Sequence, residues 1–139
     1  MEEKFNEATE LRPQGKRTLD AALVTLDMDH FIKQIRNEQT WLDSDRNAIT
    51  VFKSMAMRLV LIALHKGAEM KKHTAAATIS VQVIEGEILF TTDEQTITLT
   101  SGKMLLLHEG ISHSVVAAKE TVFLLTLTAS GASAGNLIS

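Results

Sequence analysis

The side chains in this sequence best suited to hold a metal or to orient a polar ligand are its five histidines, His30, His65, His73, His108 and His113. An imidazole nitrogen can ligate a divalent ion or take part in a hydrogen bond, and its role depends on what surrounds it. Cysteine is absent, so disulfides, thiolate nucleophiles and cysteine-based zinc or iron–sulfur centres are excluded. An isolated histidine is more often a rim or surface group than a ligand, and that is the expectation for His65 and His108. His30 lies apart from the others, in the charged N-terminal third. Lys71 and Lys72 are the only adjacent basic pair in the second half of the chain, and a solvated loop accounts for them. A formal charge of -3 and a pI near 5.9 lack the basic surplus of a generic nucleic-acid binder.

The elements that must position these groups follow from charge and hydrophobic pattern. The chain of 139 residues fits one domain. Residues 1–47 hold 10 acids and 7 bases, residues 48–128 hold 7 of each over a longer stretch, and residues 129–139 hold none. The middle is therefore the part rich enough in apolar residues to bury a core. Residues 1–20 read as a flexible arm containing the only proline, Pro13, and residues 129–139 as a flexible tail of small residues. Residues 21–47 read as a strand, Ala22 to Leu26, followed by a helix that Asp27 or Asp29 caps and whose apolar side is Phe31, Ile32 and Ile35. Trp41 after it reads as a packing anchor.

Beyond Asn47 the pattern is strand throughout. Ile49–Phe52 is β-branched, Leu59–Leu64 is a continuous apolar run, and Ile79, Val81 and Val83 alternate with Ser80 and Gln82. Ile88–Thr92 and Thr96–Leu99 flank a turn at Asp93 and Glu94. Met104–Leu107, Val115–Ala117 and Val122–Leu127 complete some eight short strands at intervals of about ten residues, the signature of an all-β sandwich or barrel.

Two segments carry a resemblance. GAEMKKHTAAATISVQVIEG is similar to the first signature of the cupin superfamily, with Gly67 six residues before His73 and Gly86 closing the pattern. GKMLLLHEGISHSVVA is similar to the second, with Gly102, Gly110 and His113 in register. The two are separated by the 15 residues from Glu87 to Ser101. The resemblance implies a double-stranded β-helix, or jelly-roll barrel, over residues 48–128, with the N-terminal strand and helix packed outside it.

The departures bear on function. In the family, two histidines and a glutamate of the first motif and one histidine of the second hold a metal. Carried over, the first histidine is His73 and the last is His113, while Ala75 stands at the second histidine and Ile79 at the glutamate. His108 replaces the second motif's proline and Ala117 its asparagine. A catalytic site of this kind needs three protein ligands and an open position, and neither alanine nor isoleucine offers a donor. The resemblance places His73 and His113 inside the barrel. Alternation places Val81, Val83 and Val115 on the same face, together with the vacated positions Ala75 and Ile79.

The expectation is an apolar pocket that binds a small molecule with no metal cofactor. The alternative is a divalent-metal enzyme of dioxygenase or isomerase type, in which His73 and His113 recruit His65 or His108. A third reading, a sensory half working with a separate DNA-binding partner, has no helix-turn-helix pattern to support it. The expected partners are a small-molecule ligand and a second copy in a homodimer, the extra strand at Ala22–Leu26 being offered to the neighbour. No apolar run approaches the roughly 20 residues that span a bilayer, and the polar N-terminus lacks an apolar centre, so no membrane partner and a cytoplasmic location are expected.

Overall fold

The computed structural model describes residues 4–6 and 17–128. Strands β1 (Lys4–Asn6) and β2 (Arg17–Asp20) pair with each other antiparallel. Helices α1 (Met28–Asn37) and α2 (Gln39–Asp43) follow. Nine strands then run without interruption by helix: β3 (Arg46–Lys53), β4 (Met57–Leu64), β5 (Glu69–His73), β6 (Ile79–Glu85), β7 (Glu87–Thr92), β8 (Thr96–Thr100), β9 (Met104–Leu107), β10 (His113–Ala117) and β11 (Thr121–Thr128). They form a five-stranded sheet in the order β3-β4-β11-β6-β9 and a four-stranded sheet in the order β5-β10-β7-β8. Every ladder is antiparallel, and from β4 onward the chain crosses between the sheets at every step except the β7–β8 hairpin, which is the jelly-roll arrangement.

Strand alternation divides the apolar residues between two cores. In β4, Val60, Ile62 and Leu64 face the barrel interior, where they join Ile79, Val81 and Val83 of β6, Ile88 and Phe90 of β7, and Phe123 of β11. Leu61 and Ala63 face the other way and pack with Ile49 and Val51 of β3 under Phe31, Ile32 and Ile35 of α1 and Trp41 of α2. The run Leu59–Leu64 is apolar throughout because β4 is covered on both faces. Asp27 caps α1, its Oδ1 accepting from the His30 amide at 3.2 Å. Asn47 docks the helix end onto the sheet, donating from Nδ2 to the Ile35 carbonyl at 3.0 Å and to Glu38 Oε1 at 2.9 Å. Among the described residues no helix is long and apolar enough to cross a membrane.

Two expectations for the N-terminal region are corrected. Ala22–Leu26 is not a strand; it is an irregular lead-in to α1, with Leu23 81% exposed and Leu26 tucked against the helix-side core. A run of five apolar-rich residues needs a ladder partner to become a strand, and this one has none among the described residues. The strand of this region lies earlier, at Arg17–Asp20, inside the segment read as a flexible arm. The edge expected to be offered to a two-fold neighbour is therefore not Ala22–Leu26, and the sheet edges that remain are β3, β9, β5 and β8. Most of the arm and the tail at 129–139 lie outside the described residues.

Candidate ligand-binding site

The site forms where β5 and β10 meet. Residues 69–73 alternate poorly and are largely exposed, yet they make an edge strand because β10 supplies the ladder. Arg46 pins the start of that strand, donating from Nη2 to the Glu69 carbonyl at 2.6 Å. The same guanidinium grips exposed Asp45 through two hydrogen bonds, 2.9 and 3.1 Å, and these hold the Asp45 carboxyl below its ordinary range. At the far end of β5, His73 stands opposite His113 in register. Their ring centroids are 4.4 Å apart with the planes at 58°. Behind them Phe90 of β7 stacks on His113 at 5.3 Å and 11°.

Backbone carbonyls fix the state of both rings. His73 Nδ1 is 2.7 Å from the Lys71 carbonyl oxygen, and His113 Nδ1 is 2.9 Å from that of Ile111. A carbonyl can only accept, so each Nδ1 carries the proton and donates it. Nε2 is then the ring nitrogen left to meet a ligand in both residues. His113 is buried, whereas His73 is exposed at the rim.

Both imidazoles line a cavity of about 330 Å³ in one half of the barrel. Ala75, Ile79, Val81 and Val115 line it too. The Gly110 amide donates to the Ala75 carbonyl at 2.9 Å and ties the segment after β5 to the turn before β10. Val83 is a correction: it is fully buried but does not reach the cavity. It lies deeper along β6, opposite Phe123 in register, and belongs with Ile88 and Leu99 to the packed part of the interior.

His65 and His108 stand away from the cavity. His65 follows β4 on the helix side and stacks on Trp41 at 3.4 Å and 13°. Its Nε2 donates to the Trp41 carbonyl at 3.0 Å, and its Nδ1 faces Glu120 Oε1 at 3.7 Å. His108 is exposed in the turn after β9. Residues not singled out from sequence complete the lining: Met70, Thr74, Ala76, Phe90, Phe123, Leu125, Leu127 and one cation, Arg58. The signal for Arg58 was present, since it continues inward the alternation of Val60, Ile62 and Leu64.

The donor set does not fit a metal of the kind the fold suggests. His73 and His113 offer one Nε2 each, the vacated positions are Ala75 and Ile79, and among the described residues no three His, Asp or Glu side chains converge as a metal-holding group. A metal with two protein ligands would have to keep its waters against hydrocarbon, where an incompletely paired charge is costly.

The family model of the AraC-like ligand binding domain matches residues 59–139. No curated protein matches the sequence. Among solved structures, a conserved protein of unknown function from Streptococcus pyogenes is 23% identical at a TM-score of 0.64, over 81% of this chain and 92% of that one. A cupin-2 domain protein from Shewanella frigidimarina is 16% identical at 0.62, over 75% and 94%. A cupin superfamily protein from Desulfitobacterium hafniense is 15% identical at 0.59, over 61% and 78%. At such identities the likeness speaks for the fold alone. With the family model covering more than half of the sequence, and with the jelly roll and both cupin-like signatures in place, this chain is a small cupin belonging to the AraC-like ligand binding domain family.

Proposed function

We propose that the barrel is a binding module that takes a small organic molecule into its hollow half, and that no tightly held transition metal takes part. The observation that carries this reading is the make-up of the hollow. Its walls are mostly apolar, and two imidazoles held by backbone carbonyls each leave one Nε2 acceptor for a ligand's hydroxyl or amide hydrogen. Apolar walls with a few fixed polar groups are what small-molecule sites generally have. The family's description as a ligand-binding domain supports the same reading. The metal-enzyme alternative lacks a third ligand among the described residues.

The test is a thermal-shift screen of small organic molecules against the native protein and against Val115→Trp, whose indole fills the hollow. Compounds that raise the Tm of the native protein should leave the filled variant unmoved, and elemental analysis of the native protein should find well under one transition metal per chain. Equal shifts in both proteins would remove the hollow as the binding site. Stoichiometric metal lost on His113→Ala would replace this reading with the enzyme.

A further inference from the structure

We propose that the ligand is a small organic carboxylate, its apolar body in the hollow and its anionic group on the rim at Arg58 and Lys53. This rests on the reading of the hollow as a ligand site and deepens it by naming the ligand's chemical class.

The first ground is the charge of the lining. The chain has more acids than bases, 17 against 14, yet among the described residues no aspartate or glutamate lines the cavity, and the one charged side chain there is Arg58. The second ground is register. Arg58 shares its face of β4 with Val60, Ile62 and Leu64, so its stem continues the inner wall, and its cross-strand partner in β3 is Lys53. Directly opposed residues of an antiparallel pair project on the same side, and like charges so placed are destabilising.

Nothing among the described residues offsets that repulsion. The remaining ion pairs use Arg36, Arg46, His65 and Lys72, and neither Arg58 nor Lys53 has a side-chain hydrogen bond or ion pair. Arg58 and Lys53 also line one shallow groove adjoining the cavity, with no acidic residue in it. Two uncompensated cations at the mouth of an apolar hollow are what an anion with a hydrocarbon body needs. The guanidinium fork binds a carboxylate through two parallel, charge-assisted hydrogen bonds, and the body gains burial that an inorganic anion would forgo.

The experiment is isothermal titration of the full chain with matched pairs, namely benzoate, phenylacetate and hexanoate against benzamide, phenylacetamide and hexanamide, with inorganic phosphate as a further titrant. The carboxylates should bind at least tenfold more tightly than their amides. Arg58→Met keeps most of the stem and removes the charge, and should weaken the carboxylates by about 10–100-fold while leaving the amides unchanged. Arg58→Lys should restore part of the loss. If carboxylates and amides bind alike and Arg58→Met alters neither, the assignment of ligand class fails while the hollow stands as a ligand site. Phosphate binding as tightly as the carboxylates would also overturn it, since the apolar body would then contribute nothing. Binding by no member of the panel would overturn the carboxylate assignment, and the screen with Val115→Trp would then decide the hollow separately.

Discussion

The two halves of the barrel interior are built from the same strands and treated oppositely. In β6, Val83 is sealed in one half while Ile79 and Val81 line the hollow of the other. In β10, Ala117 is packed while Val115 and His113 line the hollow, and in β4, Leu64 is fully buried beside a separate cavity while Arg58 ends the same row of inward side chains at the rim. The packed half is closed at the turn between β6 and β7. There Thr121 Oγ1 accepts from the Glu87 amide at 3.0 Å and donates its one proton toward the Lys119 carbonyl at 2.8 Å, with the Glu87 carbonyl at 3.1 Å. Continuous strands thus form a packed interior at one end and the lining of a cavity at the other.

The largest effect is expected where the packed half closes. Gly86 has φ of 99°, a conformation that side chains other than glycine's disfavour. A Cβ there would collide with the Glu120 carbonyl oxygen and stand 2.5 Å from Thr121 Oγ1. Backbone strain and overpacking each cost about 1–3 kcal/mol, so Gly86→Ala should destabilise by about 2–6 kcal/mol, a large share of a small domain's stability. Urea denaturation checks this; a change under about 1 kcal/mol would mean that the closed end yields as readily as the open one.

Next in size is a direct contrast between the halves. Ile88 is fully buried in the packed half, and Ile88→Ala should cost about 2–5 kcal/mol, because the transfer loss is joined by a new cavity. Leu125 is half-buried and lines a cavity that already exists. Leu125→Ala enlarges that space rather than opening one, and should cost about 1–2 kcal/mol from lost burial alone. Equal costs for the two, measured by the same denaturation, would erase the distinction between a packed and a hollow half.

How far this division could be read from the sequence depends on the signal each half leaves. β6 and β8 alternate cleanly, so the barrel is legible there, as is α1 from Asp27 and its apolar stripe. The strand bearing His73 was not, because Glu69–His73 is an exposed edge whose lysines suit solvent and whose pairing comes wholly from β10. A helix as short as α2 leaves too little periodicity to see. Ala22–Leu26 misled in the opposite sense, since its apolar residues serve the helix-side core and open surface without a ladder. Alternation placed Val83 on the correct face but could not give its depth, which Phe123 across the ladder determines. Arg58 was passed over because a charge ending an apolar run looks like an ordinary strand terminus until the opposite wall is known.

The smallest effect on stability is expected at exposed His73 on the rim, beside a change of donors that acts on metal affinity instead. The proposal that the cavity holds no tight metal rests on missing donors, Ala75 and Ile79 standing beside His73 and His113. Ala75→His combined with Ile79→Glu should therefore raise zinc affinity by at least the roughly 10–100-fold that even outer-shell changes produce, measured by competition with a chromogenic chelator. His73→Ala in the native protein is the counterpart. The ring is exposed and its one hydrogen bond runs to the carbonyl of Lys71, so its loss should shift stability by no more than about 0.5 kcal/mol and leave metal content unaltered. A much larger loss of stability would make His73 a structural member of the four-stranded sheet. A drop in bound metal would show that His73 and His113 hold an ion with help from outside the described residues. Either result would move the boundary between the two halves: the first by extending the structural half to the rim, the second by giving the hollow half a chemistry of its own.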